Sequence, residues 1–194
     1  MEIERTSTKI VKISLSLAVT LVLIMQHVSV ALATQDDARL DTLFVRLHEA
    51  PSWAEARKVE GRIWSIWLES EDENLNTIMR QGILAMNVRD YSGALEAFNS
   101  IIRVAPDFAE GWNKRATLYW LMGELQKSID DIKRTLALEP RHFGALSGLG
   151  MIRKKQERPA DAIEAYRRAL AIYPTMPNAA DQIKILEDQL GKSI

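Results

Sequence analysis

The side chains most capable of chemistry in this chain are its histidines, and their spacing forms no catalytic or metal-binding pattern. Of the three, His48 and His142 stand alone, while His27 falls in an apolar stretch near the N-terminus. Zinc-dependent hydrolases place two histidines and a glutamate on one helix face, as in H-E-x-x-H. Neither isolated histidine has a second histidine or a carboxylate at such a spacing. We therefore expect no metal ion and no cofactor.

The remaining candidates for a reactive group are equally isolated. Ser147 lacks the first glycine of the G-x-S-x-G motif and falls within a predicted helix rather than a strand-to-helix turn. Gly148 and Gly150 form a lone G-x-G with no strand before it, and no phosphate-binding loop is present. The chain has no cysteine, which excludes a thiol nucleophile, a disulfide and a zinc finger. We predict no catalytic residue and no enzyme activity.

The charge balance excludes one class of partner. Lys and Arg number 25 and Asp and Glu 26, which gives a formal net charge of −1 over 194 residues. A nucleic-acid-binding protein needs a basic surface that neutralises phosphates. We therefore expect no nucleic acid as a partner.

The elements that carry these residues repeat with a period of 34. Pro106, Pro140 and Pro174 are 34 residues apart, and the chain around them divides into units 75–108, 109–142 and 143–176 that align without a gap. The eighth and twentieth places of each unit are small and the twenty-fourth is large: Gly82, Ala116, Gly150; Ala94, Ser128, Ala162; Phe98, Ile132, Tyr166. Small residues let two helices approach, and the large residue packs between them. The pattern predicts a stack of helix pairs.

The period, the small places and the proline at place thirty-two resemble the tetratricopeptide repeat family. The resemblance covers 75–176, about half of the chain. It implies an all-α fold, an α-solenoid of antiparallel helix pairs wound as a superhelix, and a non-catalytic module that binds a protein or peptide. Residues 177–191 then predict a capping helix, which would begin at Pro177 and cover the last unit with one apolar face.

A degenerate helical hairpin is predicted over 36–70, before the first unit. Its second helix, from Trp53 to Leu68, is apolar over more than half of its circumference, which exceeds the stripe that a surface helix needs. Two interpretations stay open. The helix is buried against the first full unit and its own partner helix, or Trp53, Trp64 and Trp67 form a surface for a partner or for a homodimer.

In the tetratricopeptide repeat family the first helix of each unit lines a concave groove, and the resemblance places eleven residues of this chain there. They are Met79, Arg80, Ile83, Asn87, Asn113, Lys114, Thr117, Trp120, Met151, Lys154 and Lys155. Such a Met-rich, mildly basic surface suits a peptide with carboxylates. The alternative is that these are solvated helix faces.

Some members of this family bind the C-terminal carboxylate of a chaperone with a set of Lys, Asn and Arg. The resemblance places that set on Met79, Ile83, Lys114, Gly144 and Gly148. Only Lys114 has a suitable side chain, so binding of a chaperone tail is not expected.

Residues 1–33 have the pattern of a cleavable signal peptide. The positive region is formed by Arg5, Lys9 and Lys12. An apolar core follows from Leu15 to Met25, and Ala31-Leu32-Ala33 fits a small-x-small cleavage site, so the mature chain would begin at Thr34. If the leader is cleaved in this way, no segment of the mature chain would be inserted in a membrane.

The alternative for this region is an uncleaved membrane anchor, because the stretch from Ile13 to Ala33 is 21 residues long and about matches a bilayer. Both interpretations place the repeats outside the cytoplasm, in a periplasm or secreted. The sequence thus predicts an exported scaffold or assembly factor that binds a peptide or protein in the cell envelope. The alternative function is a self-associating structural protein joined through the Trp53–Leu68 helix.

Overall fold

The computed structural model describes residues 34–191. Residues 1–33, with the predicted leader and Ala33 of its cleavage site, and residues 192–194 lie outside the described range. One turn of 3-10 helix at Thr34–Asp36 is followed by nine α-helices within 34–191. They are α1 (Arg39–His48), α2 (Trp53–Leu68), α3 (Glu73–Asn87), α4 (Tyr91–Val104), α5 (Ala109–Leu121), α6 (Leu125–Leu138), α7 (Phe143–Lys155), α8 (Pro159–Ile172) and α9 (Ala179–Gly191). No strand occurs in this range, and the all-α prediction is confirmed.

The three repeat units are three antiparallel helix pairs, α3 with α4, α5 with α6 and α7 with α8, and successive pairs pack on one another. The second helix of each pair ends at Val104, Leu138 and Ile172, two residues before a proline of the 34-residue series. Proline cannot donate a backbone hydrogen bond and disfavours a helical conformation in the residue before it. The predicted solenoid is confirmed.

The packing within a pair shows why place eight is small. A Cβ added at Gly82 would lie 2.6 Å from Cε1 of Phe98, and one added at Gly150 would lie 2.8 Å from Cε1 of Tyr166. The large ring at place twenty-four therefore fills the space that a side chain at place eight would need. In the second unit Ser128 donates a hydrogen bond of 2.7 Å to the carbonyl oxygen of Ala116, which joins the two small places directly.

The turn inside each pair repeats as closely as the helices do. Arg89, Gly123 and Glu157 occupy the same place in the three units and have φ angles of 64°, 79° and 57°. This left-handed conformation ends a helix, and glycine adopts it without a steric cost. The chain therefore makes the same turn three times, although only the second unit has the favoured residue.

The N-terminal hairpin α1–α2 is not stacked before α3 as a further repeat. Instead α1 packs against α8 and α2 packs against α5. Leu40, Leu47, Ile63 and Trp67, all almost fully buried, share one apolar core with Phe143 and Tyr173 of the third unit and its end. As one interpretation predicted, α2 is buried against its own partner helix α1. Its contact with the first full unit is made by Leu68, whereas Ile63 and Trp67 are buried at the other end of the array with Phe143 and Tyr173.

Three polar contacts join the hairpin region to the turns between units. Gln35 Nε2 donates to the carbonyl oxygen of Asp107 at 2.7 Å, and His48 Nδ1 lies 3.1 Å from the carbonyl oxygen of Ala171. Tyr173 donates from its hydroxyl to Glu60 Oε2 at 3.3 Å. Burial and the nearby Glu60 carboxylate raise the pKa of Tyr173 to about 12. The hairpin thus follows the edge of the array where second helices turn into the next first helices.

The capping helix α9 begins at Ala179, two residues later than predicted, because Asn178 adopts a left-handed conformation with φ of 62° that interrupts a helix from Pro177. Leu186 is buried against α8, and the opposite face meets solvent. Within residues 34–191 no helix is long and apolar enough to cross a membrane.

Candidate binding groove

The first helices α3, α5 and α7 lie side by side and form the groove on which the eleven predicted residues were placed. Six of these side chains are exposed: Arg80, Asn87, Thr117, Met151, Lys154 and Lys155. Three are half-buried: Ile83, Lys114 and Trp120. Two are buried: Met79 and Asn113. The groove predicted from the resemblance is therefore open over part of its length only.

Met79 does not offer a surface to a ligand. It is 2% exposed and belongs to the core of the first unit with Leu75 and Phe98. Arg80, on the same helix, is exposed but pairs with Glu73, with 2.9 Å between Nη2 and Oε1. Met79, Arg80 and Ile83 line a separate cavity of about 540 Å³ between α3 and the end of α2, but Met79 adds almost no exposed surface to it.

Asn113 and Lys114 belong to a buried polar network around Glu110. The Glu110 side chain is 1% exposed, and its Oε1 lies 2.9 Å from Lys114 Nζ. Asn113 Nδ2 donates to the same carboxylate at 3.1 Å, and His142 Nε2 lies 2.9 Å from Glu110 Oε2. Both predicted groove residues therefore hold an internal carboxylate, and Asn113 also lines the smaller of the two cavities described below.

The sequence suggested that His142 is isolated, but in the structure it has polar partners on both ring nitrogens. The backbone N–H of Ala145 donates to His142 Nδ1 at 3.0 Å, which caps the start of α7. Since Nδ1 accepts a hydrogen bond, the ring proton is on Nε2, which donates a hydrogen bond to the Glu110 carboxylate. Equal places of successive units lie side by side, and Glu110 and Gly144 are both second places. A residue two positions before Gly144 was thus a candidate neighbour of Glu110.

The Glu110 carboxyl keeps its charge although it is fully buried. Burial alone would raise its pKa, but the positive charge of Lys114 and the hydrogen bond from His142 outweigh that effect, and the pKa falls below its ordinary value. The network therefore contains an ionised carboxylate whose charge is balanced by Lys114.

Two tryptophans of α2 cover this network. The ring of Trp67 is 1% exposed and stacks on the imidazole of His142, with 4.1 Å between centroids and 9° between planes. Trp64 makes edge contacts with His142 and Phe143, and Lys114 Nζ lies 5.2 Å from its ring centroid. The chain's own helix thus occupies the groove beside the first turns of α5 and α7.

This covering corrects the second predicted interface. Trp67 is buried inside the folded chain and offers no surface for self-association, while Trp64 is half-buried against His142 and Phe143. Trp53, at the start of α2, is 47% exposed and has Arg57 over its ring at 5.2 Å. The apolar excess of α2 is explained by packing on two sides.

The contact between Trp64 and Gly144 gives a matched pair of substitutions in α7. A Cβ at Gly144 would lie 2.8 Å from Cη2 of Trp64, whereas a Cβ at Gly148, one turn later, meets only Ile132 at 3.8 Å. Both Gly→Ala changes favour the helix to a similar degree. We expect Gly144→Ala to be less stable than Gly148→Ala by about 1–3 kcal/mol, the usual cost of overpacking.

Urea unfolding followed by far-UV circular dichroism measures this difference. Equal unfolding midpoints for the two variants would show that Trp64 does not rest on Gly144 in solution.

The open part of the groove is formed by α5, α7 and the capping helix. A cavity of about 280 Å³ has a floor that includes Ala116, Ile132 and Ile152. A second cavity of about 570 Å³ adjoins it and is bounded by Lys154, Lys155 and Gln182. Trp120, Ser147 and Met151 line both cavities. Four predicted residues, Trp120, Met151, Lys154 and Lys155, therefore meet at one place, and Asn113 and Thr117 line the smaller cavity.

The repeat region matches the family model described as tetratricopeptide repeat, over residues 79–135 and 113–177. A TPR repeat-containing protein of Rhizobium etli is 36% identical over 153 residues, which cover 79% of this chain and 75% of that protein. The small glutamine-rich tetratricopeptide repeat-containing protein 2 of Mycosarcoma maydis is 27% identical over 125 residues, and the match spans 63% of this chain but only 36% of that protein.

Among solved structures, the first TPR domain of Spaghetti (RPAP3), bound to the HSP90 peptide SRMEEVD, aligns with a TM-score of 0.59. It is 17% identical, and the alignment covers 62% of this chain and 96% of that domain. At this identity the likeness shows a shared fold. Of the five places that the resemblance gave for a chaperone tail, Lys114 was the one with a suitable side chain, and it is paired with Glu110 under Trp64.

Proposed function

Since this chain belongs to the tetratricopeptide repeat family, we propose that its groove binds a peptide or protein partner in the cell envelope and that it acts as a scaffold or assembly factor. Domains of this family are generally interaction modules rather than enzymes, and the comparison structure holds a peptide. The proposal therefore concerns binding and no chemical step.

The observation that carries the proposal is the pair of adjoining cavities around Trp120 and Met151. The larger, of about 570 Å³, is within the range of ligand sites, and the smaller, of about 280 Å³, adjoins it at the lower end of that range. Met151 is 45% exposed at their shared wall, and a thioether adapts to differently shaped partners. A half-buried tryptophan beside it has the character of an interface anchor.

The envelope location rests on the leader pattern of residues 1–33, with Thr34 as the first residue of the mature chain. A partner in that compartment would meet the groove after export. If the leader is retained as an anchor, the groove stands in the same compartment at the membrane surface.

A photo-crosslinking residue at Met151, in the full chain expressed in its native host, tests the proposal. The matched control carries the same residue at Val104, which is 62% exposed on α4 and lines neither cavity. We expect one adduct with a foreign protein from position 151, lost on Trp120→Ala and absent from position 104. The purified chain should begin at Thr34.

Identical adducts from both positions, or none from either, would contradict groove binding. Adducts that contain only further copies of this chain would favour the alternative, a self-associating structural protein. A chain recovered from the cytoplasmic fraction with residues 1–33 intact would contradict export.

A further inference from the structure

We propose that the groove takes an acidic peptide segment with a large apolar side chain, and that it binds this segment only on the side formed by α5, the last turns of α7 and α9. The inference rests on the proposed function and specifies both the site and the class of ligand. Two observations lead to it: α2 covers one side of the groove, and the side that remains open is positively charged.

The hairpin closes the side of the groove at the starts of the first helices. Along α2, Glu60 accepts a hydrogen bond from Tyr173 at the end of the third unit. Trp64 covers Lys114 and Gly144, and Leu68 packs on the core of the first unit. This one helix therefore passes all three units.

The hairpin is held as part of the folded core. Ile63 and Trp67 are at most 1% exposed and pack with Phe143 and Tyr173. Displacing α2 would expose this apolar surface to water, which is unfavourable in proportion to the area exposed. A ligand is therefore directed to the open side instead of replacing α2.

The open side is positively charged without a compensating carboxylate. Lys154 and Lys155 are exposed at the larger cavity, and none of the described residues that line the two cavities is Asp or Glu. Lys154 Nζ donates to Gln182 Oε1 of α9 at 2.6 Å, and Lys155 Nζ lies 5.0 Å from the Trp120 ring centroid. Among residues 34–191 neither lysine is in an ion pair, whereas Lys114 is.

This charge is a property of the third unit rather than of the repeat. The places of Lys154 and Lys155 are occupied by Met86 and Asn87 in the first unit and by Trp120 and Leu121 in the second. One lysine is held by the capping helix and the other by the tryptophan, so both cations border the larger cavity. Carboxylates of a ligand would meet them there.

The adjoining smaller cavity sets the second requirement. Its walls are mostly apolar, and Gly148 leaves its wall free of a side chain. A large aliphatic or aromatic residue of the ligand fits there beside Trp120, while its acidic neighbours reach the lysines. The combination selects an acidic segment with an apolar anchor.

Selection from a phage-displayed library of random 12-residue peptides, with the full chain as bait, tests this inference. We expect enriched peptides that combine Asp or Glu with Leu, Ile, Phe or Trp. The best of them, labelled with fluorescein, should bind about tenfold more weakly to Lys154→Gln/Lys155→Gln and more weakly at high salt, because salt screens exposed charges.

The matched control is Lys127→Gln/Lys133→Gln, which removes the same charge from exposed lysines of α6 that are not at the groove. It should bind within about twofold of the unchanged chain. A control that weakens binding as much as the groove variant would mean that net charge, not the site, attracts the peptide.

Enriched peptides without an acidic bias, binding that is indifferent to Lys154 and Lys155, or no enrichment at all would overturn the inference. A foreign adduct from Met151 that survives Lys154→Gln/Lys155→Gln would leave groove binding standing and remove only the acidic ligand. Absence of any foreign adduct from Met151 in the chain with Trp120, Lys154 and Lys155 unchanged would instead remove the proposed function itself.

Discussion

Trp67→Ala should lower the free energy of unfolding by about 3–5 kcal/mol, the usual loss for a buried tryptophan replaced by alanine. Its ring is 1% exposed, stacks on His142 and contacts Phe44 and Phe143 with centroids 5.9 and 5.2 Å away. The substitution removes the central contact between the hairpin and the repeats. Since a domain is stable by about 5–15 kcal/mol, this is a large share of the total.

The same substitution at Trp53, on the same helix, is the control. Trp53 is 47% exposed and contacts mainly Arg57, so Trp53→Ala should cost at most about 1 kcal/mol. Guanidinium unfolding curves of both variants measure the two losses. If both curves coincide with that of the unchanged chain, the hairpin is not docked on the repeats in solution.

A conservative variant, Trp67→Phe, tests whether an aromatic ring at this position is sufficient or the full indole is needed. Trp67→Phe keeps an aromatic ring against His142 and removes an indole N–H that has no hydrogen-bond partner among the described residues. Its loss should be clearly smaller than that of Trp67→Ala. Equal losses would indicate that the indole itself is needed.

The repeat part of this fold could be predicted because its information is local and periodic. Each unit places a small residue opposite a large one, and the clash that a Cβ at Gly82 would have with Phe98 shows that this pairing is a steric requirement. Three copies of the pattern fix the register of all six helices. The prolines then fix where each pair ends.

The docking of the hairpin could not be predicted in the same way. The apolar excess of α2 indicated that it is covered on two sides, but a helical pattern does not say by what. The covering residues, His142 and Phe143, lie 75 or more positions after Trp67 along the chain, and no repeated spacing links them. The simplest expectation was that the hairpin is a degenerate repeat that packs beside the first unit. Instead, Ile63 and Trp67 of α2 are buried against the aromatic residues Phe143 and Tyr173 of the third unit.

Only part of the groove could be predicted from the sequence, for a related reason. Place five of each unit was assigned to the groove from the family pattern, yet Met79 is in the core and Asn113, which lines the smaller cavity, is buried and held by Glu110. Ser147 lines both cavities. The identity of the side chain and its neighbours decides whether that place faces a ligand. Lys154 and Lys155 are exposed and Trp120 lines the cavities because all three lie in the last turns of α7 and α5, whereas α2 covers the first turns of these helices.

Glu110→Gln should destabilise the chain by about 3 kcal/mol at neutral pH, the low end of the range for breaking a buried charge pair. The amide keeps the shape of Glu110 and an oxygen that accepts from His142, but it leaves the ammonium of Lys114 without its counter-charge under Trp64. The low end applies because the Lys114 side chain retains 18% exposure. Glu124→Gln is the control, since Glu124 and Lys127 are 47% and 59% exposed and such pairs contribute about 0–1 kcal/mol.

The dependence on pH identifies the charge as the cause. The pKa of Glu110 is lowered in the folded chain, from an ordinary value of 4.5. A group with a lowered folded pKa stabilises the fold above its unfolded pKa and loses that contribution as the pH falls through the folded value. The unchanged chain should therefore lose stability relative to Glu110→Gln as the pH falls below about 4.5, and the difference between them should shrink. Urea unfolding of the two chains at a series of pH values measures this. A difference that stays constant with pH would show that the buried carboxyl is not ionised, and the stabilisation by Lys114 would then have another origin.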